Sequence, residues 1–291
     1  MLYDLKHVTT YKYQGLVDLA RCVLHHVPVD RPGQQVLSAT LELIPRPREN
    51  TAGRDFFGNR IDRLEFEGWH RGLAIDARAR VRVDLPRLPG ATPAWEAVAS
   101  AAGMGTALGP DAPAHFLFAS RDIPLIAAAR DYAAASAWPG RGIFDTAMDL
   151  TRRIHADFAY DTKASTVSTP VSATFAARRG VCQDFAHAMI CGLRALGLPA
   201  AYVSGYLRTV PPPGRVRLAG ADATHAWVSV WCGADAGWIG FDPTNAIVAG
   251  EDHIILAIGR DYADVPPLEG VVTANGRQKL KVGVDVVPVA G

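Results

Sequence analysis

Cysteine is scarce in this chain: four residues in 291, at positions 22, 182, 191 and 232, with no C-x-x-C pair among them. That scarcity argues against a disulfide framework and against a zinc ribbon, both of which need closely paired thiols. Also missing is any uninterrupted apolar run of the length needed to span a bilayer. Charge of one sign is not in excess, with 30 basic against 29 acidic residues and the arginines scattered. Neither a nucleic-acid partner nor an anionic membrane is therefore expected. The opening "MLYDLKHV" carries an acid and a lysine and no apolar core, so no secretory signal is expected there. The expected setting is a reducing cytoplasm with free thiols. No D-x-D-x-D-G calcium loop occurs, and no cofactor or metal is expected.

What is present divides by pattern. In "LAIDARARVRVDL" (73–85), Leu73, Ile75, Ala77, Ala79, Val81, Val83 and Leu85 alternate strictly with polar residues, which predicts a half-buried strand. Residues 3–13 and 36–44 read the same way, and 55–66 reads as a hairpin turning at Gly58-Asn59. Residues 1–85 are thus expected to form an antiparallel β domain. A Pro-, Gly- and Ala-rich connection around Trp95 fills 86–123, with helices predicted over 124–137 and 143–158. A polar loop (161–170), a short helical segment and a further helix starting near 181 follow. Strand patterns then return at 200–207, 225–232 and 238–243, completing a second domain over 124–265. The tail 266–291 holds an Asn275-Gly276 turn signal and an alternating strand, which needs a sheet to complete. The whole predicts an α+β fold. Its β-rich ends could supply an exposed edge for pairing into a homo-oligomer.

"GVCQDFAHAM" (180–189) carries the chemistry. Free cysteine is usually packing material. Here Cys182, Phe185, Ala186, Met189, Leu193 and Leu196 make one apolar helical stripe, with Gly197 and Pro199 ending the helix. Cys182 falls in the first turn, where free N–H groups and the helix dipole favour a thiolate and could hold an oxyanion. His187 lies about 140° round the helix from Cys182, and Cys191 about 180°, so neither faces it. Those two share a face and could supply half of a metal site, but no second pair of ligand spacing accompanies them. Both read better as core or helix-contact residues.

His225 is the better base. It opens a strand that turns at "GADAG" into a second strand ending at Asp242. If Trp231 pairs with Trp238, Asp242 lies opposite Trp227 and diagonal to His225 on the same face. Diagonal Cβ atoms are about 7–8 Å apart, within reach of a carboxylate–imidazole hydrogen bond. A one-residue slip would put them on opposite faces. The predicted roles are nucleophile for Cys182, base for His225 and orienting acid for Asp242.

"GVCQDFAH", "YVSGYL", "HAWVSVW" and "GWIGFDPTN", in this order, resemble the bacterial branch of the transglutaminase-like superfamily. "HVTTYKY" and "DFFGN" resemble that branch's amino-terminal domain. The resemblance implies a papain-like core: a cysteine-bearing helix on an antiparallel sheet that carries the histidine and aspartate. It assigns Cys182, His225 and Asp242 the same three roles. Ala201 stands where an arginine is usual, and Thr224 where a serine is usual. "TFAARRGVC" offers no glutamine as second oxyanion donor. Gln183, Tyr160, Asp222 and Trp227 are candidates for the substrate pocket or oxyanion site, with purely structural roles as the alternative. The implied reaction is attack on an amide carbonyl to give a thioester. Water is the expected acceptor, on a peptide or isopeptide bond of a peptide or protein substrate. The alternatives are a true transglutaminase with an amine acceptor and a catalytically idle binding module.

Overall fold

The computed structural model describes residues 1–209 and 222–289. Its first sheet is built on two long strands, β1 (Leu2–Leu24) and β4 (Arg60–Val83), paired antiparallel along their length. Along the outer edge of β4 run β2 (Gln34–Ile44) and β3 (Glu49–Arg54). The alternation over 73–85 works as expected up to Val83: Leu73, Ile75, Ala77, Ala79, Val81 and Val83 are buried, while Leu85, beyond the strand, is exposed.

Residues 86–123, expected to be irregular, contain a helix, α1 (Trp95–Gly103), of which Val98 and Ala102 are buried. Alanine content explains it: "WEAVASAAG" has a strong helix former at every other position or better. The next helix, α2 (Ala127–Ala134), is shorter than the expected 124–137, with Ile126 still extended ahead of it. Then come α3 (Ile143–Asp157), β5 (Ala159–Tyr160), α4 (Val171–Ala177), β6 (Arg179–Gly180) and α5 (Cys182–Ala195). Helix α5 is buried on nearly all sides. It packs among α2, α3, α4 and one face of a second sheet.

That second sheet comprises β7 (Ala200–Leu207), β8 (Ala223–Trp231), β9 (Trp238–Asp242), β10 (Ile247–Val248) and β11 (His253–Gly259). Its order is β10-β9-β8-β7-β11, antiparallel throughout. Ala226, Val228 and Val230 of β8 face α5. Strand β11 had no counterpart among the sequence expectations. The tail forms β12 (Leu268–Ala274) and β13 (Gln278–Pro288), which both return to β1 of the first sheet. Of the alternating residues there, Val284 and Val286 are buried whereas Leu280 and Val282 are exposed, since only the second half of β13 meets the other sheet.

The two sheets share a core of Tyr3, Leu5, Val81, Tyr206, Ile254 and Val286 among others. Buried amides reinforce it. Gln34 accepts from the Ile255 N–H at 2.7 Å and donates to the Ile255 carbonyl at 2.8 Å. Asn59 does the same for Ile258, at 2.8 and 2.7 Å. Side chains of the first sheet thereby satisfy the outer edge of β11, which would otherwise expose unpaired backbone. Among the described residues no helix is long and apolar enough to cross a membrane.

Candidate active site

Cys182 opens α5 because the residues around it build a cap. The Asp184 carboxylate reaches back to accept from the Val181 N–H at 2.7 Å and from the Ser165 hydroxyl at 2.5 Å. An acid at the third helical position satisfies an orphan donor in this way. Gly180 is required beside it, since a Cβ there would lie 2.5 Å from an Asp184 carboxylate oxygen. Cys182 is half-buried, while the other three cysteines are buried and none is paired. Burial pushes the Cys22 and Cys191 thiols up, and Cys232 up to about 12.

Strand β8 delivers His225. The register expected from sequence is present: Trp231 pairs with Trp238 and Val228 with Phe241, which leaves Asp242 diagonal to His225. His225 Nε2 lies 2.8 Å from Asp242 Oδ2. Cys182 is the ring's second side-chain partner, and both act on its charge. Burial disfavours the imidazolium, but the hydrogen bonds and charges of Asp242 and Cys182 outweigh it and push His225 up to about 9. Burial likewise works against the Asp242 carboxylate, and the donors around it prevail, holding it far below the usual range.

Those donors include residues that the sequence reading missed. Asp242 Oδ1 accepts from the N–H groups of Thr244 at 2.9 Å and Asn245 at 3.2 Å. Oδ2 accepts from Asn245 Nδ2 at 2.7 Å and from a second imidazole, His253 Nε2, at 3.2 Å. The "DPTN" turn signals the first three. "HIILAIG", an apolar β-branched run after "AGED", was the available sign of the strand that brings His253. The ligand atoms of His225, Asp242 and His253 lie within 4.8 Å of one another, a spacing that could hold a metal ion. Both Nε2 atoms lie against the Asp242 carboxylate, and for His253 the Gly250 N–H on Nδ1 places the ring hydrogen on Nε2, which leaves that nitrogen no lone pair for a metal.

The remaining candidates are distributed as follows. Tyr160, 56% exposed, is aligned with Gly180 by the parallel β5–β6 pairing, and burial and the neighbouring Cys182 raise its hydroxyl. Gln183 donates through Nε2 to the Val167 carbonyl at 3.0 Å, so its amide steadies the loop before α4. Trp227 is buried, its ring 6.1 Å from that of His225 and nearly parallel to it. Asp222 is turned toward Thr209 and Val286. His187 accepts from the Tyr262 N–H at 3.2 Å, and Cys191 donates to the Pro124 carbonyl at 2.9 Å. Each of that pair has a helix-contact partner of its own. Ala201 is buried, and Thr224 is exposed beside His225.

Residues 3–82 match the bacterial transglutaminase-like N-terminal region, and residues 130–243 match the transglutaminase-like superfamily. An uncharacterized protein of Mycobacterium tuberculosis is 39% identical over 299 residues, spanning 99% of this chain and 93% of its own. A protein-glutamine gamma-glutamyltransferase of Pseudomonas aeruginosa is 38% identical over 125 residues, 40% of this chain and 19% of that one. A candidate cysteine protease from Cytophaga hutchinsonii, known as a crystal structure, has a TM-score of 0.74 at 21% identity. That comparison covers 100% of this chain and 92% of the other, and it shows the shared fold. With its two matched regions in order and the mycobacterial relative aligned almost end to end, the chain belongs to the transglutaminase-like superfamily.

Proposed function

We propose that this protein is a cysteine-dependent amide-bond enzyme that works through a thioester acyl-enzyme. One observation carries the reading: the His225 ring has Asp242 on one side and Cys182, at a helix start, on the other. The Cys182 sulfur attacks the amide carbonyl, and its proton passes to His225 Nδ1. The oxygen turns negative as the tetrahedral carbon forms, and first-turn N–H groups of α5, which lack intrahelical acceptors, stabilise it. Collapse expels the amine, which takes the proton from His225, and leaves a thioester on Cys182. A ring pushed up to about 9 holds that proton at neutral pH until the leaving group needs it. Asp242 stays ionised throughout and keeps the ring oriented.

Water is the proposed acceptor. His225 deprotonates it, it attacks the thioester, and a free acid leaves. Exposure around the thiol supports this: Cys182 is half-buried and its neighbour Tyr160 is 56% exposed, so solvent reaches the surroundings of the sulfur. The substrate is proposed to be a peptide or protein, cut at a peptide or isopeptide bond. The second reading, transfer to an amine, draws on the printed name of the Pseudomonas aeruginosa relative. A reducing compartment such as the cytoplasm is proposed from the unpaired cysteines.

Mass spectrometry decides between acceptors. A glutamine-containing peptide and an isopeptide-linked peptide are each incubated with and without a small alkylamine. Free acid with released ammonia or cleaved peptide is expected, even in excess amine. Predominant amine incorporation would replace hydrolase by transferase, and turnover persisting in Cys182→Ala would overturn the mechanism.

A further inference from the structure

Asp242 carries more donors than a ring-orienting carboxylate needs. Backbone N–H groups of its own turn hold Oδ1, and Asn245 holds Oδ2 from the same turn. His253 comes from another strand. It sits at the start of β11, beyond β7 in the sheet, yet its Nε2 lies 3.2 Å from the same Oδ2 that holds His225. Its tautomer follows from its other nitrogen: Nδ1 accepts from the Gly250 N–H at 3.2 Å, so the ring hydrogen is on Nε2, aimed at the carboxylate.

One feature brings His253 within reach. Gly205 lies opposite His225 in the register, where a Cβ would be 2.6 Å from the Trp227 ring and 2.1 Å from the Ile254 carbonyl oxygen. Its bare backbone lets Trp227 and β11 close over the sheet. A register shift between Ile255 and Ala257, at the residue that Gln34 clasps, interrupts the β7–β11 pairing after the regularly paired His253–Ile255. The indole of Trp227 then stands edge-on to His253 at 5.2 Å and within 26° of parallel to His225 at 6.1 Å. A cavity of about 770 Å³ reaches His253 and Trp227 from the opposite side of the sheet, and Cys182 does not line it. His253 therefore stands behind the reacting atoms.

We propose that His253 is a positioning residue of the active site, a second imidazole that fixes Asp242 Oδ2 toward His225. The proposal rests on the catalytic reading above. Without His253, the carboxylate keeps only the groups of its own turn and His225 itself among the described partners, and Oδ2 loses the donor that opposes rotation away from His225. A looser carboxylate supports the imidazolium less. Among the described residues, the charged or titratable groups facing His225 are Asp242 from β9, Cys182 from α5 and His253 from β11.

The test is the pH profile for alkylation of Cys182 by iodoacetamide, which needs no known substrate. In the wild type, the basic limb set by His225 is expected near 9. In His253→Ala it should move down by about one unit, the effect of losing one charge-assisted hydrogen bond. His253→Gln, which can return an N–H to the carboxylate, should restore the limb. His253→Asn is too short to do so and should not. Thermal melts of each variant separate this from lost packing, and if Ala fails to fold the Gln–Asn pair decides. A limb that stays in place in Ala, or moves equally in Gln and Asn, overturns the proposal. If wild type and His225→Ala already share one profile, it is the catalytic reading that fails.

Discussion

Asp222 and Val286 join the two sheets: the Val286 N–H donates to the Asp222 carboxylate at 2.6 Å, and the Asp222 N–H donates to the Val284 carbonyl at 3.1 Å. The last strand of the chain is thereby fastened to the chain three residues before His225. Asp222→Ala leaves a buried N–H without its acceptor and should cost about 1–3 kcal/mol. The check is a lower urea midpoint at unchanged m-value. Deleting 271–291 removes β13 and the buried Val284 and Val286, and should lower the melting temperature sharply or leave the protein insoluble. An unchanged melt would contradict the packing described here.

Thiol chemistry should single out one cysteine. Cys22, Cys191 and Cys232 are buried with thiols pushed up, whereas Cys182 is half-exposed beside His225. Iodoacetamide at neutral pH should label Cys182 in the native chain and all four after unfolding. His225→Ala should slow the labelling and remove activity about as fully as Cys182→Ala does. Asp242→Asn should be severe but milder, because the base itself remains. Peptide mapping after labelling reads the result directly.

Gly180→Ala tests the cap. A methyl group 2.5 Å from an Asp184 oxygen must displace that side chain and break its bond to Val181. Stability should fall by at least the ~0.5–2 kcal/mol of a lost cap. Labelling of Cys182 should slow with it, since the first turn shifts. Asp184→Asn, which keeps the volume and one acceptor, should be milder on both counts. Equal melting temperatures and labelling rates for Gly180→Ala and wild type would contradict the capping role.

Stability should peak near pH 6.5. Burial holds His7 and His187 at about 4, and His26 well below its ordinary 6.5. Such rings take their protons more readily unfolded, so stability declines as pH falls below 6.5, and the contribution of His7 and His187 is fully lost by about 4. His7 and His187 each contribute a loss on the order of 3 kcal/mol. His225 acts on the other flank: with its folded value raised to about 9, its contribution is complete below 6.5 and is lost as pH rises through 9. Urea midpoints at pH 4.5, 6.5 and 9.5 check both flanks, and equal values would contradict these burial assignments.

Sequence by itself determined what is local. Alternation marked the strand over 73–83, helical spacing marked α3 and α5, and the cysteine's place in the first turn came from where the apolar stripe begins. Even His225 and Asp242 could be set on one face, because they lie 17 residues apart on a single hairpin whose register its turn fixes. Resemblance brought Cys182 to them. Tertiary structure alone decided the rest. The second neighbour of β1, on the edge away from β4, is the tail of the chain, and no periodicity says which sheet an alternating strand will complete. His253 reaches Asp242 because β11 lies beside β7 and meets a bare backbone at Gly205. Asp222, polar and three residues from the histidine, serves the sheet-to-sheet contact because its carboxylate meets the Val286 N–H there. A side chain's partner across strands depends on which elements pack together, and burial makes that choice over the whole chain at once.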